Sequence, residues 1–137
     1  MDVSGAFELT SVVHLVRPAG DRARDLETLR AGVERAGTDS LFYHAIQCPL
    51  RRPDRRELPP DDLSAWVSGV LQDRETAERL SFAVQSHGGS EAELRQALLD
   101  ALESVSEKER RARAAPAESE FVFLAAETYR YTGDEAL

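Results

Sequence analysis

The chain has 137 residues, of which 42% are hydrophobic and 31% charged, with eight glycines, six prolines and one cysteine; this is a globular balance, far from disordered, collagen-like or membrane compositions. Its formal charge of −8 repels polyanions as a whole, so nucleic acid or an anionic membrane would have to be met by a local basic patch. Cys48, the one cysteine, has no partner for an internal disulfide and cannot build a thiolate-rich zinc site by itself.

One domain over residues 1–137 is expected, because a chain of this size buries roughly 68–70% of its unfolded surface and needs no staple to hold a core. No segment approaches the roughly 18 consecutive apolar residues that cross a bilayer. The opening MDVSGAFELT lacks the basic and apolar regions of a secretion signal, so a cytoplasmic location without membrane attachment is expected.

From Phe7 to Val16, apolar Phe7, Leu9, Val13 and Leu15 alternate with Glu8, Thr10 and His14, the period of a strand, which Pro18 and Gly20 are expected to stop. Leu26, Leu29, Val33 and Ala36 then recur at helical spacing behind the N-cap candidate Asp25, and Gly37 marks the expected end. Thr38, Asp39 and Ser40 precede LFYHAIQC, whose apolar residues spread over a wide helical arc; this second helix should end before Pro49. RRPDRRELPP, with three prolines, reads as an exposed loop with solvated arginines.

Asp61 or Asp62 opens a third helix with Leu63, Trp66, Val67, Val70 and Leu71 as its core stripe. Asp73 caps a fourth, with Ala77, Leu80 and Val84 inward, ending at His87-Gly88-Gly89. Ser90 and Glu93 form the capping box of a fifth, whose stripe of Leu94, Ala97, Leu98, Ala101, Leu102 and Val105 is expected to run to about Ala112. In EFVFLAAETYRY, Glu120–Tyr131, the period returns to two. Two strands alone are marginal, so the first and last are expected to pair antiparallel under a helical layer. The expected class is α+β, with about five helices and a small antiparallel sheet.

The stretch from Ser40 to Trp66 gathers most of the chemically suggestive residues. His44 and Cys48 share a helix face at metal-ligand spacing, but nothing in the sequence brings His14 or His87 near them. A core histidine and a buried thiol are expected, and no metal. A nucleophile reading would pair Cys48 with His44 or His87, yet Pro49 follows the cysteine and neither a helix N-terminus nor a glycine elbow activates it. Asp61-Asp62 has the makings of an acid–base pair or a hard-cation site, although anionic residues opening a helix are already explained by its free N–H groups and dipole. Trp66 falls on the core stripe and reads as a packing anchor. Gly88-Gly89 lacks the spacing and lysine of a phosphate loop, so nucleotide chemistry is set aside and no cofactor is expected.

Two basic clusters stand out: Arg51, Arg52, Arg55 and Arg56 in the loop, and Lys108, Arg110, Arg111 and Arg113 at the end of the long helical stretch. The second is explained by the negative end of that helix's dipole. Neither is interleaved with aromatics for base stacking, which disfavours nucleic acid as a partner. Tyr129, Arg130 and Tyr131, closing the last strand, suit a partner strand or a second copy of the chain if that strand is an edge.

The strand, the helix ending near Gly37, SLFYH, PPDDLSAWVSGVLQDRETAERLS and ELRQALLDALE together resemble an uncharacterised prokaryotic family filed as a domain of unknown function. Its members carry an aromatic-Tyr-His motif, a Pro-Asn-Asp-Phe-x-x-Trp helix start and a leucine-rich final helix. The resemblance spans about residues 6 to 105 and, more loosely, the terminal strand. Where that pattern often has a second histidine this chain has Ile46, and where its loop commonly has further histidines this chain has Arg51 and Arg52. Asp61 stands for the asparagine and Leu63 for the phenylalanine. The resemblance implies a preserved fold and no known activity.

The expected function is a non-catalytic protein-interaction module or accessory subunit of a cytoplasmic prokaryotic system, engaging another protein or itself as a homo-oligomer. The alternative is a small-ligand-binding or hydrolytic enzyme, with His44, Tyr43 and Asp62 lining a polar pocket.

Overall fold

The computed structural model describes residues 11–46, 61–86 and 89–131. In chain order these form β1 (Ser11–Ala23), α1 (Leu26–Arg35), α2 (Thr38–Ala45), α3 (Asp62–Gly69), α4 (Arg74–Ser86), α5 (Glu91–Glu103), α6 (Glu107–Arg110), a 3-10 turn at Ala117–Ser119, and β2 (Phe121–Tyr131). The fold is α+β: β1 and β2 form a two-stranded antiparallel sheet from the two ends of the chain, with Ser11 opposite Tyr131 and Ala23 opposite Phe121. Helix α1 packs on β1 and α2 on β2, α5 packs on α1, and α4 bridges α5 and α3.

The strand does not stop at Pro18 and Gly20; it continues to Ala23. Pro18 faces Leu124, and the Leu124 N–H is donated away from β1, to His44. In an antiparallel ladder two opposed residues point their N–H groups either at each other or both outward. The nitrogen of Pro18 therefore faces outward and its missing proton removes no ladder bond, the position at which a strand tolerates proline. Between Pro18 and Arg22, β1 advances four residues while β2 advances two, from Leu124 to Val122. This bulge absorbs Gly20 and restores the register.

Caps fix the helix starts. Asp25 accepts from Thr28 N–H at 2.8 Å, and the Thr28 hydroxyl is within 3.0 Å of the Asp25 N–H that it accepts, a closed capping box. Asp73 caps α4 through Thr76 N–H and its hydroxyl, and Ser90 caps α5 through Glu93 N–H at 3.1 Å. Gly37 ends no helix in a left-handed turn: it is extended, at φ −74°, and serves as the N-cap of α2, which starts at Thr38 and not after Ser40. Nor does α5 reach Ala112. It stops at Glu103, and Ser106 with Glu109 repeats the Ser-x-x-Glu pattern to cap the one-turn α6.

One core runs through the described residues. Leu29, Val33, Leu63, Val67, Leu80, Leu94, Leu98, Leu102 and Phe123 are each at most 1% exposed, every leucine among them contributing about 1.5–3 kcal/mol on burial. From the sheet, Phe121, Phe123 and Ala125 enter this core and alternate with half-buried Val122 and Leu124. Phe123 lies directly over Gly32 of α1, where a β-carbon would strike its ring.

Arginines hold the helix ends together. Arg95 of α5 donates to the carbonyls of Val33 at 2.8 Å and Ala36 at 2.7 Å, closing the C-terminal end of α1. Arg113 does the same for the end of α3 through Leu71 and Gln72. Glu27 accepts from Arg30 at 2.8 Å and Arg110 at 2.7 Å, linking α1 to α6. The Arg30 bond foremost, reinforced by Arg110, holds the Glu27 carboxyl at about 2 against burial, which pushes the other way. Its folded value is below the ordinary 4.5, so its stabilisation is complete above that pH and is lost as pH falls from 4.5 towards 2. Glu27→Gln is expected to lower stability by about 1–2 kcal/mol at neutral pH and to flatten the acid limb of urea midpoints measured against pH.

Candidate functional site

The Ser40–Trp66 region meets the sheet at His44. The imidazole, 3% exposed, projects from the last turn of α2 and is bonded at both ends: Nδ1 lies 2.8 Å from Asp62 Oδ2, and Nε2 lies 2.9 Å from the Leu124 nitrogen. A backbone N–H can only donate, so Nε2 is the acceptor. The ring proton therefore resides on Nδ1 and is donated to the Asp62 carboxylate. One side chain thus joins α2, α3 and β2 and occupies an outward-facing N–H of a strand edge. Tyr43, Phe121 and Phe123 enclose it, with ring centroids 5.1, 4.7 and 6.1 Å from the imidazole.

Both aspartates sit where a helix start places them. Asp61 is the N-cap of α3, accepting from Ser64 N–H at 2.7 Å and from the Ser64 hydroxyl at 2.8 Å. Asp62 is the first helical residue and faces His44. Asp61 is 0% exposed, and desolvation, with a lesser push from the neighbouring Asp62 charge, raises its carboxyl above the ordinary carboxylate value against the pull of the Ser64 bonds. A raised folded value means that stability is greatest below the ordinary 3.8 and declines as pH rises through the interval up to the folded value. Asp61→Asn keeps an acceptor for Ser64 N–H and removes the buried charge. It is expected to be more stable than the parent at pH 7 and equal to it near pH 3, as thermal melts at the two pH values will show; Asp61→Ala, which loses the cap, is expected to cost about 1–2 kcal/mol.

The structure thus brings His44, Tyr43 and Asp62 together, but as a packed junction. Clefts among the described residues include one of ≈ 410 Å³ beside the α3–α4 turn, one of ≈ 620 Å³ between α4 and α5, and one of ≈ 320 Å³ at the start of α2. None of these three is lined by His44, Tyr43 or Asp62. Among the described residues no group of three His, Cys, Asp or Glu side chains is placed to hold a metal ion. Cys48, His87 and the arginines at 51, 52, 55 and 56 lie outside the described residues, as does the side chain of His14. Trp66 is a packing anchor with a polar handle: it is 8% exposed, stacks edge-on against Phe121 and donates its indole N–H to Ser119 O at 2.7 Å.

Three arginines of the basic cluster at the end of the helical stretch are internally engaged. Arg110 binds Glu27 and Val105 O, Arg111 binds Glu107 of its own helix, and Arg113 binds the end of α3; Lys108 and Arg110 stand in the last turn of α6. Tyr129, Arg130 and Tyr131 lie on β2 opposite Val13, Val12 and Ser11; their side chains are outside the described residues.

These features define a class: an α+β protein whose helices close over a sheet made from the two ends of the chain, locked by a buried histidine–aspartate clasp. The chain belongs to the family of unknown function DUF5752, which it matches over residues 4–136. Among solved structures it is similar to one described as the structure of OrfY from Thermoproteus tenax, with 26% identity and a TM-score of 0.69, covering 92% of this chain and 56% of that one. The chain spans little more than half the length of that neighbour. No match was found among curated proteins. No helix of the described residues is long and apolar enough to cross a membrane.

Proposed function

We propose that the chain is a non-catalytic protein-interaction module or accessory subunit of a cytoplasmic prokaryotic system. The observation that carries this reading is the saturation of His44. Its Nε2 lone pair is used by a strand amide and its Nδ1 proton by Asp62, so the most chemically suggestive side chain of the chain is occupied in joining secondary-structure elements. Supporting it, the basic cluster at 110–113 is absorbed by intramolecular bonds. The terminal strand, including Tyr129, Arg130 and Tyr131, has a single strand neighbour among the described residues, which leaves a route to a partner strand or a second copy. Light scattering and a pull-down from native lysate test the reading: a partner or a defined oligomer is expected, and a strict monomer that captures nothing counts against it.

The 2.8 Å contact of His44 with Asp62 favours a second reading, a small-ligand or hydrolytic enzyme built on His44, Asp62 and Tyr43, because a carboxylate orienting an imidazole is a recurring catalytic pair. That reading requires β2 to release Nε2. It would be upheld by turnover of ester or phosphoester probes that Asp62→Asn abolishes while lowering the melting temperature by no more than the few degrees that the lost charge assistance costs.

A further inference from the structure

The cleft between α4 and α5 has a different character from the rest of the surface. Its floor is made of small residues, Ala83 from α4 and Ala97 and Ala101 from α5. Its wall is Phe82, a large apolar side chain left 70% exposed, whereas Tyr43, Trp66, Phe121 and Phe123 are buried. Its rim is acidic. Glu75, Glu78 and Asp100 line it against one cation, Arg79, and that guanidinium is already bound to Glu75 at 2.8 Å and to the Ser104 hydroxyl at 2.8 Å.

Each of these properties constrains the occupant. A floor of alanines lets another backbone approach closely, which a floor of leucines would prevent. The lining on α4 runs from Glu75 to Ser86, about 16 Å along the axis at 1.5 Å per residue, the length of a three-turn helix. An exposed phenylalanine beside such a floor needs an apolar ridge to cover it, and a net-negative rim on a chain of charge −8 requires cations flanking that ridge. A second copy of the same acidic face would bring like charges together.

We infer that the α4–α5 groove docks a basic amphipathic helix of a partner protein, with Phe82 inserted among the apolar side chains of that helix and Glu78 and Asp100 facing its lysines or arginines. This inference rests on the interaction-module reading and gives it an address: helix-in-groove recognition, on the face of the molecule built from α4 and α5 and not at the terminal strand.

The probe is a fluorescein-labelled, end-blocked helical peptide of about fourteen residues, with leucine and alanine on one face and lysine on the other, compared with the same peptide carrying glutamate for lysine. Anisotropy titrations should give saturable binding of the lysine peptide that weakens roughly tenfold or more with rising salt, and none of the glutamate peptide. Phe82→Ser and the pair Glu78→Lys with Asp100→Lys should each reduce affinity at least tenfold. These side chains are at the surface, so unchanged melting temperatures are expected and would exclude unfolding as the cause. Binding that neither variant weakens, equal binding of both peptides, or no binding overturns the inference. So does dimerisation in light scattering that Phe82→Ser abolishes, because the groove would then be a self-interface. If a native partner copurifies equally with the parent chain and with Phe82→Ser, the groove assignment fails while the interaction-module reading stands; if nothing copurifies and no peptide binds, both fail.

Discussion

His44→Ala is expected to lower stability by about 3–4 kcal/mol, a fall of about 10–15 °C in melting temperature. Three losses combine. Asp62, 8% exposed, loses the proton donor bonded to its Oδ2; the Leu124 N–H loses the acceptor that satisfied it at the strand edge; and a ring packed against Phe121 leaves a void. The Leu124 N–H left without its acceptor costs about 1–3 kcal/mol, and the lost charge-assisted bond to Asp62 adds about 1.5–3 kcal/mol. Asp62→Asn provides the contrast, since its carbonyl still accepts from Nδ1 and only the charge assistance is removed, about 1 kcal/mol. A double-mutant cycle on His44 and Asp62 should show strong coupling. A loss below 1 kcal/mol for His44→Ala would show that the clasp holds little together and would return His44 to the list of functional candidates.

Gly32→Ala is expected to destabilise the protein by about 2 kcal/mol, although alanine improves helix propensity by about 1 kcal/mol in isolation. A β-carbon at position 32 would lie 2.4 Å from Cε2 and 2.7 Å from Cζ of Phe123, well inside van der Waals contact. Phe123 is 1% exposed and hemmed by Phe121 at 5.0 Å, so its ring has nowhere to swing. Overpacking of that kind costs about 1–3 kcal/mol and sometimes more, which outweighs the propensity gain. Phe123→Leu in the Gly32→Ala background should recover part of the loss, whereas Phe123→Leu alone should cost stability. Denaturant midpoints of the four chains check this, and additive effects of the two substitutions would contradict the steric account.

Both predictions concern residues whose importance is only partly visible in the sequence. The apolar periods, the caps at Asp25, Asp73 and Ser90, a helix start at Asp61 or Asp62, and the antiparallel pairing of the two terminal strands were all legible, because each depends on neighbours within a few residues or on the need to cover a small sheet. Ser106-x-x-Glu109 was legible in principle, being a second capping pattern of the kind recognised at Ser90. Its strength against the continuing apolar stripe to Val105 was not, since that stripe is itself helical. Pro18 does not end its strand because proline interrupts a strand only where its nitrogen faces the neighbouring strand, and that facing is set by register, which a local reading of the sequence does not reach.

The site was legible in composition and not in arrangement. Spacing placed His44, Tyr43 and Asp62 among the candidates, but the partner that decides the role of His44 is the amide of Leu124, eighty residues away along the chain. Gly32 and Arg95 carried no signal at all, and Arg113 only that of a basic cluster: a glycine in a helix reads as a weak point until the ring of Phe123 lies on it, and an arginine reads as solvated until it reaches carbonyls on another element. By itself, then, the sequence determined the periodic elements, their caps and the α+β class, because hydrophobic period and helix ends are local properties of the chain. Only the tertiary structure decided that the histidine clasps a strand edge, that arginines close distant helices and that Phe82 stands over an acid-rimmed groove, because hydrogen-bond saturation and exposure depend on which remote atoms packing brings within about 3 Å.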